Sequence, residues 1–436
     1  MPTIPVPDLA PATEFTLPTC DERTLPNGLT ILAIRRPSVP LVEVRLRVPF
    51  AHADVAESAV LSQTLLSGTA DKTIVEIAAE LQSVGGAISV GVDADRLLMA
   101  GNSLVGGLPK MLSTLSEVLH GATYPEDQVE SERDRLVDRL NVARQQAAHQ
   151  VQVALMKRVF PGHPYAIQSP EPEEVASVVA DQVRRLHAGR LHPAGATLVI
   201  VGDLPTEQAL DAGQAALADW NGTAAGELVE PVPALQTGPL LLVDRPDSVQ
   251  SSIRMALTAL PRTHADNAAQ QLANLIFGGY FSSRLVANIR EDKGYTYSPR
   301  SSIDHALAGS SIIIAADVAT EVTGPALWET WYELGRMVAT RVTDEELEQA
   351  RRYALGTLRL GTATQSGLAS LASSFAGLGL RIDWLLEHAN RLSKVTVDDI
   401  ARVSAEILAP AKAVTVVLGE ASQVRGPLET LTPVTL

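Results

Sequence analysis

The sequence predicts an α+β protein built from two homologous α/β-sandwich domains of about 200 residues each, related by an internal duplication. Three observations lead to this fold class. The chain has 436 residues, more than one hydrophobic core usually contains. Segments with helical periodicity alternate with short runs in which apolar and polar residues alternate. Finally, residues 181–203 align without a gap on residues 398–420, which lie 217 positions later.

The duplication is supported by a second pair of segments in the same order, since residues 126–140 align on residues 344–358 at an offset of 218. In the first pair, both copies run from a helix through a proline-containing turn into a strand that ends in glycine and an acid. Identical positions in that pair include Leu191/Leu408, Pro193/Pro410, Val199/Val416 and Gly202/Gly419. A solenoid needs at least three shorter repeats, so we predict a two-copy architecture.

Turn residues and periodicity predict the first elements of the chain in order. The dipeptide Asn27-Gly28 marks a turn between two extended runs. Three strands are predicted, the second from strict apolar and polar alternation, and two helices are predicted before a glycine pair. The predicted strands are residues 29–33, 41–48 and 87–93, and the predicted helices are residues 58–66 and 74–84.

The domain boundaries follow from composition. Residues 1–20 contain five prolines, which predicts an N-terminal arm, and residues 221–238 contain few large apolar residues and no sustained period. We therefore predict an arm at 1–20, domain 1 at 21–222, a linker at 223–238, domain 2 at 239–425 and a C-terminal tail at 426–436.

Composition also limits the function. A net charge of −15 argues against sequence-independent binding to nucleic acid, which requires a basic face. Cys20 is the single cysteine, so an internal disulfide and a thiolate zinc cluster are both excluded. The first 26 residues lack the pattern of a secretory signal, and no run reaches the length of a membrane helix. We expect a cytoplasmic protein.

The most informative motif lies in the second half, where a helix carrying Arg290 is predicted to end at Gly294 and to turn into a strand bearing Tyr297. A cation and a phenol seven residues apart could together hold a carbonyl oxygen. Two alternatives remain open: Arg290 could interact with the C-terminal carbonyls of its own helix, and Tyr297 could pack on one face of the strand. Tyr295 is the rival phenol.

Several motifs resemble those of the pitrilysin-like zinc peptidases, the family of insulinase and the mitochondrial processing peptidase. They are spread over nearly the whole chain, and the resemblance implies a clam-like arrangement of the two domains. The matching motifs are Leu25-Pro26-Asn27-Gly28-Leu29, Leu66-Ser67-Gly68-Thr69, Phe160-Pro161-Gly162-His163-Pro164-Tyr165, Ser282-Ser283-Arg284-Leu285 and the run from Arg290 to Tyr297.

The family's catalytic motif is His-x-x-Glu-His, in which two histidines on one helical face bind zinc and the glutamate acts as base. By the position of Gly68-Thr69, the histidine positions correspond to Ala59 and Gln63 and the glutamate position to Ser62. The later glutamate ligand corresponds to Arg139. Since these side chains cannot form the metal site, the resemblance implies no zinc and no other cofactor in this chain.

The resemblance also implies a role for the second-domain motif. In family members, residues that match Arg290 and Tyr297 hydrogen-bond the substrate carbonyl at a zinc centre, which a partner subunit can supply. Peptide binding is implied at two further places, each with a plain structural alternative. The first place is Gly278 and Gly279, for which the alternative is a turn that leads into the helix. The second is the strand with Ala87, Ile88 and Ser89, for which the alternative is an ordinary strand of the sheet.

These inferences together predict a zinc-less subunit of a heterodimeric metalloendopeptidase that acts on unfolded peptides. The chain would be inactive alone and would need a homologous catalytic subunit with an intact His-x-x-Glu-His motif, which would hold the zinc. No nucleic acid or membrane partner is expected. The alternative is a scaffold without a catalytic role, like the core subunits of the respiratory cytochrome bc complex.

Overall fold

The computed structural model describes residues 15–222 and 227–436, which form two α/β domains, each with one six-stranded mixed sheet. In domain 1 the strands are β1 Cys20–Thr24, β2 Thr30–Arg35, β3 Leu41–Pro49, β4 Ala87–Val92, β5 Arg96–Leu104 and β6 Thr197–Gly202. Its helices are α1 Val55–Thr64, α2 Ile74–Ser83, α3 Leu108–Gly121, α4 Glu126–Arg144, α5 Ala147–Val159, α6 Pro172–Ala176, α7 Ala180–Arg190 and α8 Thr206–Leu217.

Domain 2 repeats this plan. Its strands are β7 Leu240–Asp244, β8 Gln250–Thr258, β9 Arg300–His305, β10 Ser310–Ala319, β11 Val414–Gly419 and β12 Val434–Thr435. Its α-helices are α9 Asn267–Asn274, α10 Arg284–Val286, α11 Thr323–Ala339, α12 Asp344–Ala363, α13 Gln365–Gly377, α14 Trp384–Lys394, α15 Val397–Ile407 and α16 Ala421–Glu429. Two π-helical segments, Leu275–Gly279 and Ala287–Asp292, extend α9 and α10.

The sheet topology confirms the duplication. The strand orders are β1-β2-β6-β3-β5-β4 and β12-β7-β11-β8-β10-β9, so five strands correspond one to one. Strand pairing also fixes the equivalence of single residues. Arg45 on β3 and Arg254 on β8 each donate from Nη1 to the carbonyl of the preceding residue at 2.9 Å. Each also donates to the neighbouring strand, Arg45 to Gly101 O at 3.2 Å and Arg254 to Ala316 O at 3.3 Å.

Each sheet has an apolar core on the face that its own domain covers with helices. On β3, the alternate residues Val42, Val44, Leu46 and Val48 enter the core of domain 1, as the alternation predicts. Turn chemistry sets the limits of the elements. Gly28 adopts a φ of +88° between β1 and β2, and Thr73 forms a capping box with Glu76 at the start of α2.

The opposite face of each sheet is covered by a helix from the other domain. Helix α13 of domain 2 packs on β6 of domain 1, where Leu368 and Phe375 join Val199 and Val201 in one apolar cluster. Helix α5 of domain 1 packs in the same way on β11 and β8 of domain 2. Val151, Leu155, Met156 and Val159 join Val414, Val416 and Leu418 there. The domains are thus joined by reciprocal helix exchange, which sequence periodicity does not indicate.

Three predicted boundaries differ from the structure. Of the predicted arm, residues 1–14 lie outside the described range, and Cys20 already begins β1. Of the predicted linker, residues 223–226 are also outside it, while Val229 is buried and the N–H of Val232 donates to Ala308 O at 3.0 Å. In the predicted tail at 426–436, the first residues continue α16, and β12 pairs in parallel with β7.

Over residues 15–222 and 227–436, no helix is both long and apolar enough to cross a membrane.

Candidate functional site

The positions that correspond to the zinc motif lie on α1 and α4, two helices that pack against each other. Asp54 is the N-cap of α1, and its carboxylate accepts the N–H of Glu57 at 2.9 Å. Ala59 presents a methyl group, which has no atom that could bind a metal. The hydroxyl of Ser62 donates to Ala59 O at 2.8 Å, so it is bonded to its own helix.

The structure brings Gln63 and Arg139 together, although they are 76 residues apart. Nη2 of Arg139 donates to Oε1 of Gln63 at 2.9 Å, and both residues are exposed. A guanidinium is a permanent cation without a lone pair to offer, and here it engages the one oxygen of the Gln63 side chain. The residues present therefore do not fit a zinc ion, which takes imidazole, thiolate or carboxylate ligands.

A displaced metal site is not formed by the part of the chain that is described, in which no group of three His, Cys, Asp or Glu side chains is arranged to hold an ion. The single Glu-His dipeptide, at Glu387-His388, has a structural role. His388 is buried, its Nε2 lies 2.6 Å from Oε1 of Gln271, and its ring stacks on Trp384 at 4.5 Å. Burial, with Arg391 nearby, lowers the pKa of His388 to about 4.

In domain 2, Arg290 lies in the π-helical segment Ala287–Asp292, which has Lys293 as its C-cap and is followed by Gly294. Gly294 has a φ of +65°, and the next N–H, of Tyr295, donates back to Ile289 O at 2.8 Å. π-Helical turns are rare and occur often at functional sites. Tyr297 is not on a strand, contrary to the prediction from the sequence, because β9 begins only at Arg300.

Arg290 and Tyr297 are in contact. The guanidinium carbon of Arg290 lies 4.7 Å from the Tyr297 ring centroid and 4.6 Å from the Phe281 ring centroid. Nε of Arg290 also faces Oε1 of Glu291 at 3.1 Å. The two rings hold the cation by cation–π attraction. Phe281 was not identified from the sequence, because an aromatic residue in a turn gives no signal of its partner.

The structure distinguishes Tyr297 from its rival Tyr295. Tyr295 packs against the core of domain 2, whereas Tyr297 is 82% exposed. Between them, Thr296 is buried and its hydroxyl donates to Asp317 O at 2.7 Å, which anchors the loop. Tyr297 therefore presents its phenol to solvent from a loop with a fixed base.

The segment with Arg290 is anchored at its other end by Arg284, which pairs with Glu346 of α12. Nε and Nη2 of Arg284 donate to the two carboxylate oxygens at 2.6 and 2.9 Å. Burial opposes ionisation of Glu346, but hydrogen bonds from Arg284 and Thr343 hold its pKa below the usual value. This bidentate pair makes the Ser-Ser-Arg-Leu motif a structural support of the Arg290 segment.

The glycine pair has a packing role. Gly278 is buried, and a Cβ at this position would lie 3.0 Å from Cβ of Ser301. At Gly279 an added Cβ would lie 3.1 Å from the carbonyl oxygen of Asn274. The Ser301 hydroxyl donates to Oδ1 of Asn274 at 2.5 Å across the same contact. Gly278 thus lets β9 approach the helix, Gly279 avoids contact with the preceding helical turn, and the structure leaves no surface at Gly278 for a peptide.

Ala87, Ile88 and Ser89 lie on β4, the edge strand of the domain 1 sheet. Within residues 15–222 and 227–436, strand β4 pairs with β5 alone, and its residues are alternately exposed and half-buried. Helix α1 packs beside this strand. The free edge offers backbone groups to a further strand. No hydrogen bond, ion pair or ring contact within residues 15–222 and 227–436 joins this edge or the Gln63–Arg139 pair to Arg290 or Tyr297.

Comparison with known proteins agrees with this fold. Residues 177–353 match the family model described as the peptidase M16 inactive domain. A protein of Mycobacterium leprae named as an uncharacterized zinc protease is 22% identical over 402 residues, covering 88% of both chains. One of the same description from Streptomyces coelicolor is 21% identical over 413 residues, covering 91% of this chain and 88% of the relative.

Solved structures show the same fold over nearly the whole chain. A peptidase M16 inactive domain from Pseudomonas fluorescens has a TM-score of 0.81 at 21% identity, covering 92% of this chain and 98% of that one. A protease from Helicobacter pylori has a TM-score of 0.85 at 16% identity, covering 93% and 100%. These findings confirm the resemblance to the pitrilysin-like peptidases. Residues 177–353 match the inactive domain of the M16 peptidase family, and most of the chain is similar to proteins named as zinc proteases.

Proposed function

We propose that this chain is a zinc-less subunit of a two-subunit peptidase for unfolded peptides, in which a homologous partner carries the His-x-x-Glu-His motif. The hydrogen bond from Arg139 to Gln63 carries the proposal. A permanent cation fills the place where the family resemblance puts a metal ligand, and it would repel a divalent ion. We therefore assign no step of hydrolysis to α1 and α4 of this chain.

The chain's own contribution is the pair formed by Arg290 and Tyr297. Both groups are hydrogen-bond donors, and they are set side by side by Phe281 and by the anchored loop. Large aromatic side chains as exposed as Tyr297 rarely stabilise a fold, so this placement favours a role at a contact surface. In the complex, we propose that both donors hydrogen-bond the carbonyl oxygen of the scissile bond and stabilise its developing negative charge.

The free edge of β4 is the second contribution. A peptide that adds to this edge would bind through its main chain, which suits a peptidase that accepts many sequences. Ala87 and Ser89 are exposed, so side chains of this strand leave the edge accessible. Gly278 is not included in the proposed peptide-binding surface, because it is buried.

The proposal is tested with the purified chain and a catalytic homologue from the same genome. We expect the chain alone to bind no stoichiometric zinc and to cleave no unfolded peptide, and the mixture to cleave. In the mixture, Arg290→Ala and Tyr297→Phe should each lower turnover by about 10²- to 10³-fold while the complex still assembles. Arg300→Ala, at an exposed position at the start of β9, is the matched control and should leave turnover unchanged.

Two results would contradict the proposal. Cleavage of peptides by the isolated chain with one bound zinc would show that catalysis is its own. Full turnover in both the Arg290 and Tyr297 variants would favour the alternative of a scaffold, since a scaffold has no evident use for the pair.

A further inference from the structure

A cavity of about 1170 Å³ lies between the two domains. Domain 1 contributes the ends of β3 and β4, the turn before β5 and the start of α1, and domain 2 contributes the turn between β9 and β10 and the end of α13. Apolar side chains line much of it, and Phe50, Val92, Met156, Leu307 and Leu378 are among them. The volume suits a small molecule or a short peptide.

Arg47 on β3 is the unusual residue of this cavity. It lines the cavity and is only 6% exposed. No hydrogen bond or ion pair joins its guanidinium to any residue of the described chain, in contrast to Arg45 two positions earlier, which donates to Ser366 at 3.0 Å. Burial, with Arg96 nearby, lowers the pKa of Arg47. A buried charge without a partner is unfavourable unless something binds it.

The two carboxylates near Arg47 are engaged elsewhere. Tyr165 donates from Oη to both oxygens of Asp95, at 2.8 and 3.0 Å. Asp93 accepts the N–H groups of Asp95 and Arg96 on one oxygen, at 2.9 and 3.0 Å, and Nε of Arg96 on the other at 3.1 Å. These bonds shape the turn before β5 and fix both carboxylates, so Arg47 keeps its donors free for a molecule in the cavity.

The duplication shows that the fold does not require this arrangement. By strand register, Arg47 corresponds to Ala256 on β8, and α13 corresponds to α5, so that Gly377 corresponds to Val159. Ala256 and Val159 belong to one dry apolar cluster. In domain 1 a cation and a glycine replace them, and a Cβ on Gly377 would lie 2.6 Å from Nε of Arg47. Gly377 thus leaves room for the guanidinium.

We propose that this cavity binds a short peptide with free ends, whose terminal carboxylate pairs with Arg47. A carboxylate can accept two parallel, charge-assisted hydrogen bonds from the planar guanidinium of Arg47 and so satisfy its donors. Four acids, Asp54, Asp93, Asp95 and Asp304, line the cavity and outnumber Arg47 and Arg96. Such a balance disfavours polyanions and suits a zwitterion that brings its own ammonium group. The apolar lining accommodates apolar side chains.

The test measures binding of the tripeptide Ala-Leu-Leu to the purified full chain by calorimetry, so it does not depend on the proposed peptidase function. We expect the free peptide to bind, and the C-terminally amidated peptide to bind at least tenfold more weakly. Arg47→Met should lower the affinity for the free peptide to that for the amidated one, and it should leave the affinity for the amidated peptide unchanged. This non-additivity identifies the carboxylate as the partner of Arg47.

Two further variants separate binding from folding. Gly377→Ala should displace the guanidinium of Arg47 and lower the affinity for the free peptide several-fold. Gly356→Ala on α12, where an added Cβ meets nothing within 4 Å, is the control and should leave that affinity unchanged. Arg47→Met should melt at the same or a higher temperature than the wild-type chain, because it removes an unpaired buried charge. A lower melting temperature would show that Arg47 has a structural partner and would overturn the proposal. Equal binding of the free and amidated peptides, or no binding of either, would also overturn it.

Discussion

The guanidinium of Arg139 donates to the side-chain oxygen of Gln63 across 2.9 Å and joins α4 to α1 where family members are expected to bind zinc. Reversing this replacement should create a metal site. The combined variant Ala59→His, Ser62→Glu, Gln63→His and Arg139→Glu should bind one zinc per chain, measured by mass spectrometry of metals after dialysis.

A partial variant is the control for this prediction. When Arg139 is kept and only the three α1 substitutions are made, we expect weak zinc binding that a chelator removes easily, because the cation remains beside the ion. Equally tight binding in the two variants would contradict the inferred position of the fourth ligand.

Phe281 is predicted to position Arg290 rather than to act on a substrate. Phe281→Leu removes one of the two rings that hold the guanidinium, and a cation–π contact at an exposed site is worth about 0.5–1 kcal/mol. We therefore expect turnover of the two-subunit complex to fall about two- to fivefold, with KM unchanged. Tyr332→Leu, which removes an exposed ring beside Arg336 on α11, is the control and should have no effect.

The Arg284–Glu346 pair should be important for the stability of domain 2. Arg284→Met leaves a half-buried carboxylate without its bidentate partner and should cost about 2–3 kcal/mol of unfolding free energy. Chemical denaturation followed by fluorescence measures this cost. In Arg425→Met, which breaks an exposed pair with Glu429, the loss should stay below about 0.5 kcal/mol. Similar losses in both variants would rule out a special role for the buried pair.

Helix exchange predicts that a substitution in one domain weakens the sheet of the other. Leu155 on α5 is fully buried against domain 2, so Leu155→Ala should cost about 2–5 kcal/mol. Hydrogen exchange should then accelerate first in β11 and β8. Leu112→Ala creates a cavity in the core of domain 1 itself, so in this variant hydrogen exchange should accelerate in β3 and β5 instead. Loss of protection in the same strands for both variants would contradict this assignment.

His388 should make stability depend on pH below neutrality. Its folded-state pKa is about 4 against an ordinary 6.5, because burial disfavours the charged imidazolium and the cation of Arg391 lies nearby. Between these values the unfolded chain binds more protons, so stability falls as the pH falls from about 6.5 to about 4. The loss should amount to about 1–3 kcal/mol. In His388→Gln this part of the pH dependence should vanish, whereas in His120→Gln, at an exposed position, it should persist.

Much of the architecture follows from local patterns in the chain. The alternation in β3, the turn at Gly28 and the paired segments at offsets of 217 and 218 each predict features that the structure contains. The pair Gln63 and Arg139 could be anticipated only through the family resemblance, since neither residue type signals a metal site. The free edge of β4 required the strand order as well.

The remaining features depend on contacts between residues far apart in the sequence. Helices α5 and α13 have ordinary apolar faces, and nothing in their periodicity tells which sheet will cover those faces. Phe281 and Arg290 meet because Phe281 lies in the turn that leads into the helical segment carrying Arg290. Arg47 occupies an alternate position of β3 that looks like an exposed charge, and it is buried only because α13 arrives from the other domain. Strand β12 could not be predicted from alternation because it is two residues long.

Helix exchange has a consequence for synthesis of the chain on the ribosome. When residues up to 222 have emerged, the outer face of the first sheet, with Ile34, Val199 and Val201, is not yet covered. The helix that covers it, α13, begins more than 140 residues later. Until then that face exposes apolar surface, and α5 has no sheet to cover. We therefore expect chaperones to bind the nascent first half, and we expect neither half to fold stably as an isolated fragment.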